Sequence, residues 1–137
     1  MAFAMRVEHT KSPFTLLGSI IIRDDLSLIN EDIATTMIGN AIVKDELRAH
    51  KKVEMVVIRN RLRILCVDET IESISLSSIE IVFTFFSPED KRYFIGVLTR
   101  SSRAQSPSKL HVLHTLHKID AVNLVSNISF AYSKFIQ

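Results

Sequence analysis

The chain has a single cysteine among its 137 residues, Cys66, so no disulfide within it can brace the fold. Set in an apolar run, that thiol reads as a buried side chain, which suits a reducing compartment. No window reaches the ~18 apolar residues of a membrane span. The opening residues 1–13, MAFAMRVEHTKSP, lack the apolar stretch of a secretory signal and read as an N-terminal extension to a domain over 14–137. A soluble cytoplasmic protein is expected. Charge of one sign is scarce as well: 17 Lys and Arg against 15 Asp and Glu leave +2, too even to point to nucleic acid without a clustered stripe. There is no internal repeat, low-complexity tract or linker. A catalytic constellation is also missing, with no acid–base pair and no phosphate-binding loop. His111, His114 and His117 are spaced by three, which on a strand sends His114 to the face opposite the other two, so they cannot converge on a metal. Cys66 has no histidine near it in sequence to make it a nucleophile. No enzyme, metal or cofactor is expected.

What the chain does have is apolar periodicity. Hydrophobic residues make up 47% of it, ordinary for a folded domain of one core. Phe14 to Ile22 (FTLLGSIII) is too short for a typical helix and reads as a buried strand. Ile29, Ile33, Met37, Ile38, Ala41 and Ile42 then form one helical stripe. Asn30 is its expected N-cap, and Glu31 and Asp32 stand where the helix dipole favours anions, so a helix is predicted from about Asn30 to Ala49. From Val53 the period falls to two. Strands are predicted at 53–59 and 61–66 as a hairpin, then around Ile74 and Leu76, over Ile79 to Phe86, from Tyr93 to Arg100, and from Leu110 to Leu116. In the longest of these, Ile79, Ile81, Phe83 and Phe85 are expected on one face and Val82, Thr84 and Phe86 on the other. Helical spacing returns at Ile119, with Asp120 as the expected N-cap and Leu124, Ile128, Ala131 and Phe135 as the apolar stripe. Strand, helix, about six strands and a final helix is an α+β order.

This order, with several short motifs, resembles the phosphotyrosine-binding (PTB) domain of the pleckstrin-homology-like superfold over about Phe14 to Phe135. Leu17-Gly18-Ser19 resembles the motif of the family's first strand. Ile79 through Asp90-Lys91-Arg92 to Phe94 resembles its peptide-binding strand, turn and following strand. His111-Val112 resembles a pair in its last strand, and Ala131-Tyr132-Ser133-Lys134-Phe135 the end of its last helix. The resemblance implies a seven-stranded antiparallel β-sandwich or partly open barrel, with a helix after strand 1 and a capping C-terminal helix. It also implies a non-catalytic adaptor that takes an extended peptide, Asn-Pro-x-Tyr or a relative, as an added strand. Carried across residue by residue, the docking strand supplies Ile79, Ile81, Val82, Phe83, Thr84 and Phe86, and the helix supplies Leu124, Ile128, Tyr132 and Phe135. Ile128 stands where the family usually has phenylalanine, and Phe94-Ile95-Gly96 where many members have phenylalanine-glycine. No arginine matches a phosphate-reading position, so binding independent of phosphorylation is expected. On this reading a charge at Ile128 abolishes binding and spares the fold.

Two alternatives accompany that expectation. The same strand edge serves subunit association in one. In the other, the basic set Lys44, Arg48, Lys51 and Lys52 at the first helix's end meets an anionic phosphoinositide headgroup at a membrane.

Overall fold

A computed structural model describes residues 13–67, 69–101 and 107–136. Seven strands run β1 (Phe14–Ile22), β2 (Lys51–Ile58), β3 (Arg61–Cys66), β4 (Glu69–Ser75), β5 (Ile79–Ser87), β6 (Arg92–Thr99) and β7 (Ser108–Thr115). Helix α1 (Glu31–Val43) follows β1, and helix α2 (Lys118–Phe135) closes the chain. The strands form one antiparallel sheet in the order β4-β3-β2-β1-β7-β6-β5. This is the α+β order expected, and its consequence for function is topological: β4 and β5 are the edges.

Alternation along the strands divides the apolar residues between two cores. Val53, Leu62, Ile64 and Ile74 from the β2–β4 arm meet Ile79, Ile95, Val97 and Leu113 from the β5–β7 arm, so the sheet curls around its own concave face. α2 seals that core with Ala121, Leu124, Ile128 and Ala131, which recur at helical spacing. On the other face of β1, β7, β6 and β5, Leu17, Ile22, Phe83, Phe94, Leu98, Leu110 and Val112 pack under α1 through Ala34, Ile38 and Ala41. Ile33, expected in the buried stripe, is 40% exposed. Cys66 is only partly buried, at the margin of the concave core.

Glycine is required at two places. Gly18 has φ +138°, in the irregular step where β1 shifts register against β7 between Leu16 and Gly18. Gly96 lies opposite Phe83, and a Cβ there would come within 2.5 Å of that ring, so the missing side chain is the space the ring fills.

Helix ends differ from expectation in instructive ways. Asn30 caps α1 as predicted, its Oδ1 accepting from the Ile33 amide at 2.9 Å. The helix stops at Val43, however, not near Ala49. Asp45 turns into the left-handed region at φ 55°, Leu47 folds back against Gly18, and the Ala49 amide donates to the Leu17 carbonyl at 3.0 Å. Tertiary contact ends this helix where local propensity would continue it. α2 starts two residues before the predicted cap, after His117, and Asp120 lies in its first turn.

Candidate functional site

β5 has a neighbour on one side only. It pairs with β6, and among the described residues no strand pairs with its outer edge. The Thr84 hydroxyl donates to the Phe94 carbonyl at 2.8 Å, which puts that carbonyl on the β5 side of β6. Phe85 and Phe94 are therefore the hydrogen-bonded pair, and by antiparallel alternation Val82, Thr84 and Phe86 turn their main-chain N–H and C=O outward. Such groups are a template for another strand.

Alongside that edge runs α2. Between them lies a groove of about 330 Å³ lined by Ile79, Glu80, Val82, Ile128, Ser129, Tyr132 and Ser133. Ile79 reaches the groove because of a bulge: the register of β5 against β6 shifts between Ile79 and Ile81, placing Glu80 as the extra residue. Strict alternation had grouped Ile79 with Ile81. The bulge turns Ile79 to the α2 side with Val82, while Ile81, Phe83 and Phe85 pack with the core under α1. Ile81 and Phe83 thus offer a partner no side chain in the groove, which corrects their expected place there.

The helix residues also divide. Ile128 and Tyr132 face the groove as expected. Leu124 and Phe135 instead line a depression of about 310 Å³ on the opposite flank of α2, with Met55 and Val57 of β2 and with Phe130. Ile128 is 1% exposed and belongs to the concave core, so it is a floor residue that the fold cannot lose. Phe86 is half-exposed at the turn, 4.8 Å from Tyr93 between ring centroids, and lines a separate hollow with α1. Glu80, Ser129 and Ser133 are groove residues that apolar patterning passes over. For the serines the available signal was their place beside Ile128 and Tyr132 at a spacing of four.

The turn after the edge strand is braced by its own hydrogen bonds. The Ser87 hydroxyl donates to the Asp90 carboxylate at 2.7 Å, and the Lys91 amide donates to the Ser87 carbonyl at 2.8 Å. The Asp90 amide also donates to the Ser87 hydroxyl at 3.4 Å, local side-chain-to-backbone chemistry of the kind serine and aspartate supply in turns.

The four basic residues do not form a helix-end patch. Lys44 is the α1 C-cap, Arg48 lies beyond the helix and is tied to Asp45 by a 2.9 Å bond to its carbonyl and a 3.6 Å ion pair. Lys51 and Lys52 are consecutive strand residues, so their side chains leave opposite faces.

The histidines separate as their spacing predicts. His111 is 3% exposed on the concave side, with Nδ1 3.1 Å from the Ser19 hydroxyl and Nε2 3.4 Å from the Thr99 hydroxyl. Burial, with the nearby Lys109 cation, pushes its pKa from 6.5 down to about 4. His114 stands edge-on to Phe94 on the other face, its pKa also lowered, chiefly by burial. His117 precedes α2. Among the described residues no three His, Cys, Asp or Glu side chains are placed to hold a metal ion, and no helix is long and apolar enough to cross a membrane.

Compared with known proteins, the chain matches no family model and no curated protein.

Proposed function

We propose that this domain is a non-catalytic interaction module that captures an extended peptide as an eighth strand on β5, in the manner of a PTB-type adaptor of the pleckstrin-homology-like superfold. The observation that carries the reading is the outward-facing main chain of Val82, Thr84 and Phe86 running beside a partly apolar groove. Backbone bonds to these residues supply affinity without regard to sequence, and side chains entering between Ile79, Val82, Ile128 and Tyr132 supply selectivity. Among the described residues no arginine lines the groove, and Glu80 is the one charged residue that does, so the module reads an unphosphorylated peptide.

Selection of random peptides on the wild-type domain, followed by binding to variants, tests this. Ser129→Arg adds bulk and charge at an exposed groove position without touching the core. Thr84→Pro removes one outward N–H, at a site where an edge strand tolerates proline. Both are expected to weaken the selected peptides at least tenfold while Phe130→Ser, on the other flank, leaves them bound. Peptides that ignore Ser129→Arg and Thr84→Pro but are lost with Phe130→Ser would overturn the assignment. A domain that is dimeric by light scattering, with binding recovered only on dissociation, would convert the reading to subunit association through the same edge.

A further inference from the structure

The hollow between α1 and the end of β5 has more room than either trough beside α2. It holds about 610 Å³, against about 330 and 310 Å³. Its walls are mostly apolar, with Gly39, Ile42 and Val43 from the helix and Phe85, Phe86 and Phe94 from the strands. Phe85 and Phe94 stack on each other there, 5.5 Å between ring centroids. The Ser87 hydroxyl and the Asp90 carboxylate, at one end, are bonded to each other. Gly39 lies inside α1, where glycine destabilises relative to alanine. No packing asks for it, because a Cβ there would meet nothing within 4 Å. The bare stretch of helix is therefore room in the hollow and not room for the core. Val43, in the last turn of α1, is exposed over the same hollow.

We propose that this hollow takes a bulky apolar side chain of the same peptide that docks on β5, an inference that rests on the strand-addition reading above. Continuity with the docking edge carries it. A strand laid against β5 shares, at each position, the face of the residue opposite it, and its side chains alternate between faces. A peptide residue opposite Val82 therefore points to the α2 side, where Val82 lines the groove. One opposite Phe85, three positions along, points to the α1 side, where Phe85 lines the hollow. At about 3.3 Å per residue the two stand roughly 10 Å apart along the strand. The ligand class is thus an extended peptide with two apolar anchors three residues apart, one for each face of β5. A peptide that used the α2 groove alone would carry its anchors at even spacing.

Peptides selected on the wild-type domain, scanned with alanine and titrated calorimetrically against variants, test the inference. Two peptide positions three apart are expected to cost about tenfold each. Gly39→Leu fills the hollow from a helix position that favours leucine over glycine. That variant should melt at or above the wild-type temperature and bind the parent peptide about tenfold more weakly. The peptide with alanine at the second anchor should bind Gly39→Leu and wild type alike. Val43→Lys sets a charge over the same hollow, in a last turn that suits a cation, and should weaken the parent peptide as well. Loss with Ser129→Arg but full affinity for Gly39→Leu and Val43→Lys, or anchors only at even spacing, would overturn the hollow and leave the groove standing. Indifference to Ser129→Arg, Gly39→Leu and Val43→Lys together would overturn both.

Discussion

The two flanks of α2 look alike in composition and differ in what lies beneath them. On one flank Ile128, Ser129, Tyr132 and Ser133 face β5; on the other Leu124, Asn127, Ala131 and Phe135 face β2. Each makes a shallow, partly apolar trough of similar volume, about 330 and 310 Å³. The second flank even exposes more aromatic surface, with Phe130 at 69%. Yet β2 is an interior strand, paired with β1 over Lys51–Val53 and with β3 over Glu54–Ile58, whereas β5 ends the sheet with Val82, Thr84 and Phe86 turning their main chain outward beside the trough. An apolar trough can bury a side chain; one beside an edge strand can also bind a backbone. Strand order, not hydrophobicity, separates the two.

The comparison breaks most completely in the core that lies beneath both flanks. Ile128 anchors α2 into the concave core, so Ile128→Asp buries a carboxylate without a partner. It should cost about 4 kcal/mol or more, read as loss of cooperative melting. A Ser129→Arg domain should melt as wild type does, which keeps loss of binding distinct from loss of fold.

Acid should act on the concave interior common to both flanks. The unfolded His111 imidazole takes up its proton near 6.5, but the folded one only at about 4. Between those values the unfolded chain binds more protons, so stability is whole above pH 6.5 and falls as the pH drops through the window. The loss is complete below 4 and amounts to roughly 3 kcal/mol from this residue, with His114 acting in the same direction. Denaturant titrations across that range should show the slope, and His111→Gln should flatten most of it.

A smaller effect sharpens the contrast between the two faces of β5. Gly96→Ala drives a methyl into the Phe83 ring and should destabilise by about 1–3 kcal/mol, with recovery in the double variant that also carries Phe83→Leu. The smallest, Asn30→Ala, removes the α1 cap for about 1 kcal/mol, and should leave both α2 flanks unaltered in peptide binding.

Much of this architecture was legible because it is local. Alternation across Phe83, Phe85 and Phe86 sorted their faces correctly, Asn30 announced its helix, and the element order stood in the periodicity. Three features were not local and were missed. The bulge at Glu80 is invisible because Ile79, Ile81 and Phe83 stand two apart on paper, and only the pairing with Thr99 and Leu98 reveals the extra residue. The end of α1 at Val43 depends on Leu47 finding Gly18, a contact 29 positions away in sequence, from 18 to 47. The helical stripe that joined Leu124, Ile128 and Phe135 was real, but it spans both flanks, and no periodicity states which strand each flank meets.

Amide hydrogen exchange along β5 tests the central claim most directly. In the free monomer the amides of Phe83 and Phe85 should be protected and those of Val82 and Thr84 should exchange quickly, and a bound selected peptide should protect the latter pair. Slow exchange at Val82 and Thr84 in the unliganded monomer would mean that the ladder is already satisfied on its outer side, and the docking edge would not exist.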